Sequence, residues 1–171
     1  MAAVTAVTAQ ITIPLPISPV PFTLQVLAVI LSGLLLGPRN GALSQAIYVL
    51  IGAIGVPVFA GFSGGLGIVL GPTGGYLLSY PAAAAVAGLA THAATNASRR
   101  RGLWTSFLWG CAGLAIIYTL GATWLAIGTD LPFAVALAQG VLPFVLLDLV
   151  KVALAALVAV AAAPAISTSH V

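Results

Sequence analysis

Apolar residues fill this chain in long stretches, broken by proline, by glycine and by a handful of charges, and the breaks mark out its elements. A helix needs about 20 apolar residues to cross a bilayer, and cutting at the breaks predicts six transmembrane segments. The first, Met1 to Ile13, is apolar with scattered threonines and short, so it reads either as a truncated span or as one whose start lies upstream. Pro14, Pro16, Pro19 and Pro21 end it. Each proline removes a backbone donor and restricts the residue before it, so 14–22 is a loop. The second segment runs from about Thr23 to Leu36 and stops at the turn Gly37-Pro38-Arg39-Asn40-Gly41, and the third covers Ala42 to about Ile54. From Gly55 to Gly75 the chain is too interrupted by glycine and proline for a regular span. Tyr76 to about Thr95 forms the fourth segment, Leu103 to Ile127 the fifth and Pro143 to Ala163 the sixth. A turn at 128–132 and a short amphipathic piece, Phe133 to Gln139, separate the last two.

Composition turns this pattern into a class. Of 171 residues, 61% are hydrophobic and 4% are charged, and the mean hydropathy is +1.22. The surface of a soluble domain needs roughly a quarter of its residues charged. The chain therefore reads as an all-α integral membrane protein, multi-pass in the lipid bilayer of a bacterial-type cell membrane. No linker-like run divides it, so residues 1–171 read as a single polytopic domain. The net charge of +3 does not point to nucleic acid. Four of the five cations, Arg39, Arg99, Arg100 and Arg101, fall in two inter-helix turns, where the positive-inside rule accounts for them. Those turns are then cytoplasmic and, with six spans, so are both termini. The Pro-rich loop, the Gly-rich loop between helices 3 and 4 and the 128–132 turn gather on the outer face. Cys111 stands alone in an apolar run and supports neither a disulfide nor a metal site. The N-terminus lacks the basic region and cleavage site of a signal peptide, so the first segment is expected to be retained.

Two charges escape this scheme. Asp148 and Lys151 lie inside the last apolar run, three residues apart, and so share one face of a helix. An ionisable residue in hydrocarbon costs a few kcal/mol and usually faces a cavity or a partner. Counted from Pro143 at 1.5 Å per residue, Asp148 lies about 7 Å and Lys151 about 12 Å into the helix, in the outer half of the bilayer. The pair either neutralises itself so that the helix inserts, or meets a solute carrying both donors and acceptors, or relays a proton.

The loop from Gly61 to Tyr76 invites false matches. Gly61-Phe62-Ser63-Gly64-Gly65 fits the G-x-S-x-G pattern, but no strand precedes it and neither His92 nor His170 stands where a triad needs one. Gly65, Gly67 and Gly71 miss the dinucleotide fingerprint by one residue, and no lysine completes a phosphate loop. No enzymatic activity and no cofactor are expected. The better reading is non-helical backbone that lines a cavity at membrane depth, with Phe59, Phe62 and Tyr76 as apolar walls. Thr23 and Gln25 open the second segment and, turned inward, meet the same cavity; turned outward, they face headgroups or water. His92 and Gln45 are expected to hydrogen-bond between helices. The sequon Asn96-Ala97-Ser98 falls on the cytoplasmic side, which argues against its use. Ala2 and Ala6, spaced small-xxx-small, permit close helix contact within the fold or with another membrane protein.

Three patches, taken in order, resemble one family: Pro19-Val20-Pro21-Phe22-Thr23-Leu24-Gln25, Gly71-Pro72-Thr73-Gly74-Gly75-Tyr76 and Asp148-Leu149-Val150-Lys151. They are similar to the BioY family, the biotin-binding S components of energy-coupling factor (ECF) vitamin transporters. The resemblance covers nearly the whole chain. It implies a six-helix protein holding biotin in an outward-facing pocket capped by the first and third loops. It implies that Asp148 and Lys151 contact the ligand's polar groups, and the chemistry of biotin suits them: Asp148 is expected to accept from the ureido N–H groups and Lys151 to donate to the carbonyl. Phe22, Thr23, Gln25, Phe59, Phe62, Gly71, Thr73, Gly74 and Tyr76 complete the expected substrate-binding set. The family also implies an ECF transmembrane coupling subunit and two ABC-type ATPases as partners, docked through Ala2 and Ala6. The first helix here is shorter than the family's usual one. The alternative function is a proton-coupled carrier for a small solute, with Asp148 as the relay.

Overall fold

The protein is described by a computed structural model over residues 1–91 and 99–167, with side chains over 1–91 and 100–162. His92, His170 and the sequon at 96–98 lie outside the described residues.

Helix α1 (Ala2–Ala9) is eight residues long and ends before the proline run. Strands β1 (Thr12–Ile13) and β2 (Phe22–Thr23) pair antiparallel, Thr12 with Thr23 and Ile13 with Phe22, and pinch the Pro-rich loop into a closed hairpin. Helix α2 (Gln25–Ala53) is broken at Gly37, whose φ of 79° is open to glycine at little cost. The break folds the helix back on itself. Gln25 Nε2 donates to Tyr48 Oη at 2.6 Å, although 23 residues on a straight helix would hold the two roughly 35 Å apart. Gln45 Nε2 likewise reaches Ser32 Oγ at 3.1 Å. The predicted second and third segments are thus the two antiparallel arms of one hairpin. Pro38 opens the second arm, a position where its missing N–H costs nothing.

The short α3 (Leu66–Val69) lies within the Gly-rich connection, and α4 (Gly74–Gly88), α5 (Arg99–Gly128), α6 (Phe133–Gly140) and α7 (Val145–Ser167) complete the chain. Helix α5 begins four residues earlier than expected. Arg99, Arg100 and Arg101 sit in its first turn rather than in a loop, consistent with the good helix propensity of arginine. Arg100–Gly128 and Val145–Ala162 have the length and apolar composition to cross a membrane, and Gln25–Ala53 has them when its 29 residues are counted through the break at Gly37.

Small residues let these helices touch. A Cβ on Gly33 would lie 2.2 Å from the Ala84 carbonyl oxygen, so α2 and α4 meet backbone to backbone. A Cβ on Gly75 would fall 2.2 Å from Trp124 Cβ, which seats α4 on α5. Val29, Ile30, Tyr48, Phe59, Leu77, Tyr80, Ala83, Ile117 and Val152 fill the space between the helices. The outside is also apolar: Leu50, Ile54, Ile127, Leu146 and Leu142 are all more than half exposed. In water such a surface would aggregate; facing lipid it is at home.

Candidate functional site

The cavity is assembled from both ends of the sequence. A space of about 220 Å³ opens beneath the Pro-rich and Gly-rich loops. Pro19, Val20 and Pro21 form one rim, with Phe59, Ala60 and Ser63 of the Gly-rich loop beside them. Thr23 and Gln25 enter at the start of α2; Thr73 stands at the N-cap position of α4, and Tyr76, Leu77 and Tyr80 descend one face of it; Ile117 and Tyr118 come from α5; Phe144 just precedes α7, and Asp148 lies in its first turn. Most of the lining is apolar or aromatic, with a few fixed polar groups, which is the usual make-up of a small-molecule site.

The polar groups form two linked sets. At the first, Asp148 is 3% exposed and Lys151 5%. Lys151 Nζ donates to Asp148 Oδ1 at 2.6 Å and to the Thr23 carbonyl at 2.6 Å, and rests 3.8 Å over the centroid of the Phe22 ring. Tyr118 Oη donates to Asp148 Oδ2 at 2.6 Å. The carboxylate is therefore clamped from both sides, and both oxygens keep lone pairs for a further donor. In the second set, Thr23 Oγ1 donates to Gln25 Oε1 at 3.0 Å, Gln25 donates to Tyr48, and Tyr48 Oη donates to the Val58 carbonyl at 3.2 Å. The Thr23 residue joins the sets, because its carbonyl holds Lys151 and its side chain holds Gln25.

Of the residues expected from the sequence, Asp148, Gln25, Thr23, Phe59, Thr73 and Tyr76 line this one cavity. Lys151 and Phe22 stand one layer behind it: Lys151 holds Asp148, and the Phe22 ring lies under the Lys151 ammonium. Phe62 turns outward and is 72% exposed, with a positive φ of 55°. Its backbone N–H donates to Gln10 Oε1, so the loop turns away from the cavity at that residue. Gly71 and Gly74 serve packing: Trp124 Nε1 donates to the Gly71 carbonyl at 2.9 Å, and a Cβ on Gly74 would meet the Val69 carbonyl. Ala2 and Ala6 pack half-buried against the core. Gln45 does bond between helices, to Thr5 and Ser32.

Tyr80 and Tyr118 were not foreseen. Tyr80 carries a sequence signal, since Thr73, Tyr76, Leu77 and Tyr80 repeat at the 3–4 spacing of a single helix face. Tyr118 carries none beyond being a polar aromatic in an apolar span, a group that requires a partner when buried.

The BioY family model matches residues 1–168. A probable biotin transporter BioY of Pyrococcus horikoshii is 48% identical over 157 residues, covering 92% of this chain and 88% of the relative. The biotin transporter BioY of Thermotoga maritima is 45% identical over 151 residues, covering 86% and 83%. Among solved structures, the S-component for biotin from an ECF-type ABC transporter superposes with a TM-score of 0.82 at 27% identity, covering 93% of this chain and 84% of that one. With its apolar helices and its cavity under two loops, the chain belongs to the BioY family, as a multi-pass membrane protein.

Proposed function

We propose that this protein is the substrate-specific, biotin-binding component of a vitamin uptake transporter. The observation that carries the reading is the clamped Asp148 carboxylate on the wall of a cavity scaled to one small molecule. Biotin carries two ureido N–H donors, an apolar bicyclic body and a terminal carboxylate. A fixed carboxylate accepts from N–H groups in a charge-assisted bond that is strong where water is excluded. Tyr76, Phe59, Phe144 and Ile117 enclose the apolar body. Lys151 acts through Asp148 by holding the carboxylate in place and balancing its charge.

The same reading sets the arrangement in the cell membrane. Six spans, with Arg39 and the Arg99–Arg101 turn on the cytoplasmic side, place the cavity mouth outside. The protein itself performs no chemistry on the vitamin; an ECF coupling subunit and ABC-type ATPases supply the energy. Equilibrium binding of radiolabelled biotin to the purified protein tests the core of the proposal. Saturable binding in the nanomolar to micromolar range is the expected result, and its absence would sink the reading. Uptake by the protein alone that collapses with an uncoupler would favour a proton-coupled carrier instead.

A further inference from the structure

The cavity's donors are nearly all spent on the protein. Lys151 gives two N–H groups to Asp148 and Thr23, stands over the Phe22 ring, and does not border the space. Tyr118 donates to Asp148, Tyr76 to the Gly140 carbonyl at 2.9 Å, Thr23 to Gln25, and Ser63 to the Ala60 carbonyl at 2.8 Å. Gln25 keeps one amide proton of two. Thr73 makes no capping bond but lies half-exposed at the rim, seven residues and about 10 Å of helix away from Tyr80.

Tyr80 differs from all of these. It borders the cavity, is 4% exposed, and its hydroxyl makes no hydrogen bond among the described residues. The hydroxyl is not sealed in protein either, in contrast to Ser44 Oγ and Ser106 Oγ, which are enclosed without partners. Its ring is fixed by stacking on Tyr48, with centroids 6.3 Å apart and planes 21° from parallel. A buried phenol normally has a partner, because an unmade bond forfeits its hydration. A fixed ring whose hydroxyl opens only to the cavity has its partner in the ligand.

We propose that the Tyr80 hydroxyl donates the hydrogen bond to the ligand's carbonyl oxygen, the role expected of Lys151 from the sequence. This rests on the biotin reading above. Asp148 then accepts from the ureido N–H groups while Tyr80 donates to the ureido oxygen. The ligand's own carboxylate, repelled by Asp148, extends toward the loops at the mouth.

Binding of biotin and of its thiourea analogue, which keeps the carboxylate but carries a sulfur that is a weak acceptor, to wild type and to Tyr80→Phe tests this. The substitution keeps the ring and its stack on Tyr48. The expected result is at least a tenfold rise in the biotin Kd and less than a threefold change for the analogue. An unchanged biotin Kd, or an equal loss with both ligands, overturns the assignment. Wild type alone supplies a second measure that does not depend on the variant folding: it should prefer biotin over the analogue at least tenfold, and a preference under threefold overturns the assignment. Wild type that binds neither ligand defeats the biotin reading, and this inference with it.

Discussion

Without Lys151, the Asp148 carboxylate would keep only the bond from Tyr118 and stay buried with an uncompensated charge. Breaking a buried pair by removing one partner costs about 3–5 kcal/mol, whereas replacing both partners by apolar residues is often neutral or stabilising. Lys151→Ala is therefore expected to lower the melting temperature in detergent and weaken biotin binding at least about tenfold, or roughly 1.4 kcal/mol. The double replacement Asp148→Leu with Lys151→Leu should recover the melting temperature but not binding. A double variant that still binds biotin with wild-type affinity would return the pair to mere self-neutralisation. Tyr118→Phe keeps the ring on the cavity wall and is expected to weaken binding by releasing one oxygen of Asp148, and a thermal melt together with a binding isotherm separates a loss of stability from a loss of binding. Asp148 was legible in the sequence because a charge in an apolar run is costly and needs a reason. Tyr118 was not, because a tyrosine is tolerated in many surroundings and only the position of its hydroxyl shows whether it has work to do; for Tyr80 the helical spacing from Tyr76 marks a shared face but says nothing of the hydroxyl.

The elements of the fold meet at two joints. Gln10, just past α1, donates to the Ala6, Val58 and Phe59 carbonyls and accepts from the Phe62 N–H, so it ties α1 to the loop that roofs the cavity. Gln10→Ala is expected to speed biotin dissociation severalfold with a smaller change in association, as stopped-flow kinetics would read; an unchanged off-rate would show that the loop holds itself. The second joint is the contact of α2 with α4 at Gly33. Gly33→Leu places side-chain atoms where the Ala84 carbonyl lies, and overpacking of this kind costs about 1–3 kcal/mol or more. The expected outcome is a marked drop in melting temperature and in recovered folded protein. The break at Gly37 was legible, since Gly-Pro with an adjacent Arg ends an apolar helix. Which residues face each other across the two arms was not, because that depends on how the chain turns at Gly37.

At the scale of the whole molecule, the proposed topology puts Arg39 and the Pro-rich loop on opposite sides of the membrane. In a Cys111→Ala background, Ser18→Cys is expected to react with an impermeant thiol reagent added to intact cells, and Arg39→Cys only after permeabilisation; the reverse pattern would invert the topology. Membrane class, the order of the apolar segments and the charged pair follow from hydropathy, because burial in lipid penalises each polar residue wherever it falls along the chain. The pocket does not follow in the same way. Thr23, Tyr80, Tyr118 and Asp148 are far apart in sequence, and their meeting depends on the α2 hairpin, on close contacts at Gly33 and Gly75, and on a carbonyl at Thr23 placed to receive Lys151. Hydropathy is a property of each residue in turn, so one dimension suffices to read it. A hydrogen bond needs two atoms within about 3 Å, and which pairs come that close is decided when the helices pack.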